Sequence, residues 1–450
     1  MPNFKHKIVI AGAGLSGLTA GLKLLQLGYS NITFVEATDG PGGRVKTEFI
    51  DGFTLNTGGH HFFTGYTAAE EFLDFDSLKL KNYDHGALII RHNRLKKVVQ
   101  PFNKSSFAYG LLLSDFGKFK DKINFIRKRI ELGYMDEQKL FEKFEIKSSS
   151  LLKKKRFSTK IVNDFFKPVF SAFFKEEELT TSRRMLDFYL KLLSESRMCI
   201  PEKGIAEIPK QLASNFNESS FIYNQKVVGF EDHKVQLESG ESIEADLLIV
   251  ATEQIGLYNK FKKEPQKTNF RSTTCVYFSA DSKPFSDALI CVSAKNPKLV
   301  NNISVLTNIS KAYAPKGKEL ICVTLNGFAT IDDLQLVNEI KSELKSVFPG
   351  KIENWNLIKV YRHEYAIPNQ DFVLGSKRYG ELRLGKNLYA CGDHMVYGNM
   401  NGAMKTGKLV AELIHRDLNS ENHNEIKKRY SNVFGTPGNL NTEEENTTQS

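Results

Sequence analysis

The chain has 450 residues, 41% of them hydrophobic and 25% charged, with a formal net charge of +10. This is an ordinary globular composition, which excludes disordered, collagen-like and disulfide-scaffold classes, and the length is too great for a single core. Five scattered cysteines (Cys199, Cys275, Cys291, Cys322 and Cys391) include no Cys-x-x-Cys pair, so neither a disulfide framework nor a metal site is expected.

The basic start, Met1 to Lys7, leads into only four apolar residues, Ile8-Val9-Ile10-Ala11, before glycines intervene. That is too short for a secretory signal, and no run of 18 apolar residues could span a bilayer. The expectation is a protein kept in a reducing cytoplasm. Lys7 to Ala11 reads as a strand buried on both faces. It runs into Gly12-Ala13-Gly14-Leu15-Ser16-Gly17, a G-x-G-x-x-G turn, then a helix carrying Leu18, Leu22 and Leu25 and ending at Gly28. Ile32-Thr33-Phe34-Val35 makes a second strand, closed by Glu36 and Ala37. In this order the glycines let backbone N–H groups approach a pyrophosphate at the helix N-terminus, and Glu36 can accept hydrogen bonds from ribose hydroxyls. An acid there favours FAD or NAD over NADP.

Gly40-Pro41-Gly42-Gly43-Arg44 and Gly58-Gly59-His60-His61 follow closely. Such glycine pairs suit a long cofactor whose second half is approached by backbone. With Gly12 to Gly17, Glu36-Ala37, Gly42-Gly43-Arg44 and Gly58-Gly59, the sequence resembles the flavin-containing amine oxidase superfamily. That group includes monoamine oxidases, protoporphyrinogen oxidases and phytoene-type desaturases. The resemblance implies FAD, with Ser16 and Arg44 near the pyrophosphate and Gly58, Gly59, His60 and His61 beside the flavin.

Later segments extend the likeness. Strands are expected at Phe221-Ile222-Tyr223, Val227 to Phe230, Val235 to Leu237, Ile243 to Ala245 and Asp246 to Thr252. The family's adenine contact falls on the backbone of Val227. Asn387 to Asp393 reads as a strand ending in Gly392-Asp393, and Asn399-Met400-Asn401-Gly402-Ala403 opens a helix over Met404 to Ile414. Asp393 suits a ribityl hydroxyl. The helix start at Met400 to Ala403 would aim its partial positive charge at the flavin N1/O2 edge. Cys391 lies in the Gly-Asp strand and not at a tethering position, so binding is expected to be noncovalent.

The resulting expectation is an α/β fold. A discontinuous Rossmann-type FAD-binding domain takes residues 1–66, 201–265 and 385–418. A substrate-binding domain takes 67–200, helical and basic, and 266–384, α+β with a mixed sheet. The second block has strands at Thr274 to Phe278, Ile303 to Leu306 and Leu320 to Thr324, a helix from Asp332 to Val347, and a wall segment at Arg362 to Pro368. Residues 419–450 read as a polar tail, disordered over about its last 15 residues. Residues 91–160 hold 19 Lys plus Arg against 7 Asp plus Glu, an excess of 19 − 7 = 12 that leaves the remainder near neutral. Interleaved with Phe102, Phe107, Phe116 and Phe119, they could form a solvated basic cap or a peripheral contact with an anionic membrane; nucleic acid is not expected.

Candidate catalytic residues are His60, His61 and Asn399. The amine-oxidase branch has a Tyr just before the Met of the C-terminal helix; here Asn399 stands there, which disfavours amines because a substrate amine benefits from facing aromatic rings. The expected function is dehydrogenation of a hydrophobic molecule such as a polyene, isoprenoid or tetrapyrrole. Amine oxidation and a flavin-dependent isomerase or mutase reaction are the alternatives.

Overall fold

The computed structural model describes residues 5–58, 61–99, 117–252, 257, 269–295, 298–373 and 379–434. Gly59, His60, the aromatic stretch from Phe102 to Phe116 and the last 16 residues of the expected tail, 435–450, lie outside them.

Ile8–Ala11 is buried along its whole length, as its unbroken apolar run requires. It pairs in parallel with Ile32–Val35 on one side and Leu247–Val250 on the other. The complete sheet runs Phe221–Ile222, Ile32–Val35, Ile8–Ala11, Leu247–Val250, Leu388–Ala390, Arg383–Gly385, parallel except for the last pair. Register sets Ala11 beside both Val35 and Val250, so the chain leaves three neighbouring strands at one edge, through Gly12, Glu36 and Ala251. In open α/β sheets this carboxyl edge is where ligands bind.

The helix Leu15–Gln26 follows the glycine turn, and Gly28 takes the left-handed φ of 96° that ends it. It is crossed by the helix Met400–Phe434, and a Cβ on Gly407 would lie 2.2 Å from the Ser16 carbonyl oxygen. Only glycine permits that crossing. Val227–Glu231, Lys234–Leu237 and Ser242–Glu244, segments expected as strands, form a three-stranded antiparallel meander.

A seven-stranded mixed sheet runs Asn356–Pro368, Phe270–Ala280, Glu319–Asn326, Asn302–Val305, Ile290–Ser293, Gly86–Arg91, Arg94–Val99. The helix Asp333–Leu344 covers one face through Leu336, Ile340 and Leu344, against Phe348 and Trp355. Here the structure departs from the helical expectation for 67–200, because Gly86–Arg91 and Arg94–Val99 are strands. Ala87-Leu88-Ile89-Ile90 is a fully buried run, and His92 and Asn93 both adopt positive φ, 50° and 57°, as a tight hairpin turn requires. Leu80–Asn82 and Met198–Pro201 are strands as well, paired antiparallel. The helices described in the block include Phe119–Gly133, Glu137–Glu142, Ser148–Lys154, Lys167–Phe174 and Arg183–Glu195. The expected polar tail also begins inside a helix, since Met400–Phe434 continues through 419. No proline interrupts it before Gly435 and Pro437. Among the described residues no helix is long and apolar enough to cross a membrane.

Candidate functional site

Two adjoining cavities open at the carboxyl edge of the parallel sheet, sharing Gly14, Gly43, Arg44, Ala251, Thr252 and His363 on their walls. The smaller, about 1080 Å³, is lined by Gly12, Glu36, Ala37, Thr38, Gln225 and Val227 among others. The larger, about 1320 Å³, reaches from the glycine turn into the helical section. These volumes include their open mouths; the two cavities run on from one another from the nucleotide side to the helical section, an extent that suits a long cofactor and a second molecule.

The glycines shape the junction. Gly12 has φ +107°, and a Cβ there would sit 2.8 Å from the Ala251 carbonyl oxygen. Gly14 forms an isolated bridge with Gly42, and a Cβ on Gly43 would lie 3.3 Å from the Gly14 Cα. A Cβ on Gly58 would lie 2.5 Å from the Arg44 carbonyl oxygen. Bare backbone therefore forms the floor between the cavities. The helix Leu15–Gln26 starts there with Gly14 at its cap and no side-chain hydrogen bond to its first-turn N–H groups. Those donors and the positive helix end suit a pyrophosphate.

Glu36 is buried at the far end of the nucleotide side. Its Oε2 accepts from Ala13 N–H at 2.8 Å, and its Oε1 accepts from Thr38 N–H at 3.0 Å and Thr38 Oγ1 at 2.8 Å. A carboxylate has about four acceptor sites, so one remains for a ribose hydroxyl. Leu15, Ser16, Gly58, Gly392, Asp393, Met400 and Ala403 all line the larger cavity, and Ala37 and Val227 the smaller. Ala13 and Gly17 stand behind the wall. Ala13 orients Glu36, and a Cβ on Gly17 would lie 2.1 Å from the Gly12 carbonyl oxygen, so its role is close packing of helix on strand. The residues present fit an FAD.

Of the catalytic candidates, His61 lines the larger cavity, edge-on to Tyr83 at 5.6 Å and to Phe173 at 6.1 Å between ring centroids. Asn399 also lines it, but its Oδ1 accepts from Gly402 N–H at 2.9 Å, making it the cap of the Met400 helix. This positions the helix start. Neighbouring Tyr397 is buried, its hydroxyl donating to Glu137 at 2.6 Å. The Arg362 to Pro368 segment does form a wall, contributing His363, Tyr365, Ala366 and Ile367. None of the five cysteines lines either cavity; all are buried, and burial pushes the Cys391 thiol up to about 12.

Several wall residues carried no recognisable motif. Phe63, Tyr66, Phe173 and Tyr189 enclose the far end of the larger cavity with Lys175. Phe173 stacks on Tyr189 with ring centroids 4.9 Å apart. Burial raises the Tyr189 hydroxyl to about 12, opposed by hydrogen bonds with Asn399 and Tyr66. The only signal for these in the sequence was the density of Phe and Tyr, which marks core and cavity wall alike.

Comparison with known proteins agrees with this geometry. The family described as flavin containing amine oxidoreductase matches residues 15–415. A candidate protoporphyrinogen oxidase from Exiguobacterium sp. 255-15 superposes with a TM-score of 0.71 at 16% identity, covering 91% of this chain and 98% of that one. Putrescine oxidase bound to putrescine gives 0.64 at 16% identity over 91% and 99%, and reduced UDP-galactopyranose mutase 0.64 at 16% over 91% and 95%. At such identity these likenesses establish the fold alone. Polyamine oxidase 7 of Oryza sativa subsp. japonica is 37% identical over 54 residues, 12% of this chain and 11% of that protein. A zeta-carotene-forming phytoene desaturase of Myxococcus xanthus is 42% identical over 53 residues, 12% and 10%. These matches span about a tenth of the curated relatives' length. The chain belongs to the flavin-containing amine oxidoreductase family and is an FAD-dependent oxidoreductase.

Proposed function

We propose that this oxidoreductase dehydrogenates a hydrophobic small molecule, a polyene, isoprenoid or tetrapyrrole, at the aromatic end of the larger cavity. On this reading residues 1–66, 201–265 and 385–418 form a discontinuous Rossmann-type FAD-binding domain, and 67–200 with 266–384 the substrate domain. Bound FAD supplies a hydride acceptor at flavin N5. The first turn of Leu15–Gln26 would hold the pyrophosphate, Glu36 a ribose hydroxyl, and the start of Met400–Phe434 the electron-rich edge of the ring. Phe63, Tyr66, Phe173 and Tyr189 exclude water and hold the substrate against the cofactor, which supplies much of the rate in such chemistry.

One observation carries the choice of substrate class. Among the described residues of the larger cavity the only carboxylate is Asp393, and Arg44 already pairs with it at 2.6 Å. A cationic amine would therefore meet no free counter-ion, whereas an apolar chain meets rings. Amine oxidation stands second, and a reaction without net redox change third. Anaerobic bleaching of the flavin by polyene or tetrapyrrole candidates and not by amines is the expected result; turnover with no overall redox change would favour the isomerase.

The same reading includes a peripheral contact with anionic membrane through the described part of 91–160. Phe119, Ile130, Tyr134 and Phe144 are large exposed apolar side chains there, and Lys153, Lys154, Lys155 and Arg156 are all exposed. An apolar substrate dissolved in lipid would be met at such a surface.

A further inference from the structure

Lys175 is the unusual residue of the larger cavity. It ends the helix Lys167–Phe174 in the left-handed conformation, φ 55° and ψ 35°, its N–H donating to the Ser171 carbonyl at 2.9 Å. Its neighbours on the wall include Ala172, Phe173, Tyr189 and Thr273. Burial pushes its ammonium below the ordinary lysine value, partly offset by Cys275 and Cys322 close by.

Three other lysines whose side chains are largely covered have carboxylates. Lys128 lies 2.8 Å from Asp187, Lys143 lies 2.6 Å from Glu131, and Lys298 lies 3.6 Å from Glu177. Lys175 has no such partner among the described residues. An ammonium without a carboxylate partner on a half-buried wall is costly, and the left-handed backbone of a non-glycine residue adds to that cost. Among the described residues at the aromatic end, where His61, Tyr66, Tyr189 and Thr273 are the other polar side chains, it is the one lysine or arginine able to form a charge-assisted bond with a negatively charged ligand.

We propose that Lys175 anchors an oxyanion, a carboxylate or phosphate, carried by the substrate, so that the molecule taken up is an acidic amphiphile. Its apolar body lies against Phe63, Phe173 and Tyr189, and its acidic end at Lys175. This rests on the reading of the larger cavity as the substrate site, and it narrows the substrate class within that reading.

The test is equilibrium binding to the flavin-loaded protein, followed by perturbation of flavin absorbance and by thermal shift. The probes share one body: 4-phenylbutyrate, 4-phenylbutyl phosphate, 4-phenylbutanol and 4-phenylbutylamine. The acid, or the phosphate, should bind about tenfold more tightly than the alcohol, with the amine weakest. Whichever of the two acids binds better identifies the oxyanion. Lys175→Met should abolish the preference and Lys175→Arg should keep it. Met removes a charge without a partner, so the melting temperature of the ligand-free variant should not fall. Equal affinity for acid and alcohol, tightest binding of the amine, or an unchanged preference in Lys175→Met would overturn the proposal. Binding is read without turnover, so anaerobic bleaching judges the dehydrogenation reading separately.

Discussion

Arg44 Nη2 lies 2.6 Å from Asp393 Oδ1, joining two cavity segments 349 residues apart in the chain. Arg44 Nη1 also donates to the Ala366 carbonyl at 3.2 Å, so one guanidinium ties the glycine-rich turn to the Gly-Asp strand and to the wall strand. The Asp393 side chain is only 5% exposed, and Arg44 covers it as its ion-pair partner. Arg44→Met should cost about 3 kcal/mol of stability, because it leaves a buried carboxylate uncompensated. Adding Asp393→Asn should recover much of the melting temperature without restoring the ratio of flavin to protein. Calorimetry and the visible spectrum of the two variants check both halves.

Asn399 separates capping from chemistry. Asn399→Ala should lower stability by about 1 kcal/mol through loss of the bond to Gly402 N–H, and Asn399→Asp should restore it, since either side chain can cap. Denaturant melts of the two variants decide. If both are equally destabilised, the capping role is wrong.

The cofactor half of this site was legible because its chemistry requires particular residues at particular places. Gly12, Gly14 and Gly43 must be bare for backbone to approach, and Glu36 must end its strand. The substrate half was less legible. Lys175, Phe173 and Tyr189 reach the cavity through tertiary packing of the helical section, and no local spacing announces that. The hairpin of Gly86–Arg91 and Arg94–Val99 was hidden for a different reason. The basic and aromatic content of the segment suggested amphipathic helices, while the short run Ala87 to Ile90 and the turn at His92-Asn93 carried the strand signal. His61 and Asn399 both line the larger cavity, and the second of them spends its oxygen on a helix end.

The charged block has an internal anchor with a pH signature. Glu131 meets Lys143 at 2.6 Å, Lys155 at 2.9 Å and Lys128 at 3.4 Å. Burial alone would raise its carboxyl, but hydrogen bonds from Lys143 and Lys155 and the charge of Lys128 outweigh that and hold it at about 2, below the usual 4.5. The resulting stability is fully present above pH 4.5 and is lost as pH falls towards 2. Its side chain is 26% exposed, so screening limits the effect to on the order of 2 kcal/mol. Glu131→Gln should flatten the acid limb of the stability profile between those limits and leave the profile above pH 6 parallel to the parent's. An unchanged acid limb would show that the lysines do not hold this charge.

Membrane contact makes a separable prediction. Lys155 is committed to Glu131, so Lys153, Lys154 and Arg156 are the better positions to neutralise. Lys153→Ala, Lys154→Ala and Arg156→Ala together should weaken sedimentation with phosphatidylserine-containing liposomes, by about 1 kcal/mol per charge at low salt. Binding equal to the parent's would remove the peripheral-membrane reading and leave a solvated basic cap.

The dehydrogenation itself is tested most directly by anaerobic titration of the purified yellow protein, monitoring the oxidised flavin band. Bleaching is expected with an apolar polyene or tetrapyrrole bearing an acidic group, with the flavin released by denaturation in soluble form, and no bleaching with amines. A flavin bleached by amines alone would contradict this expectation.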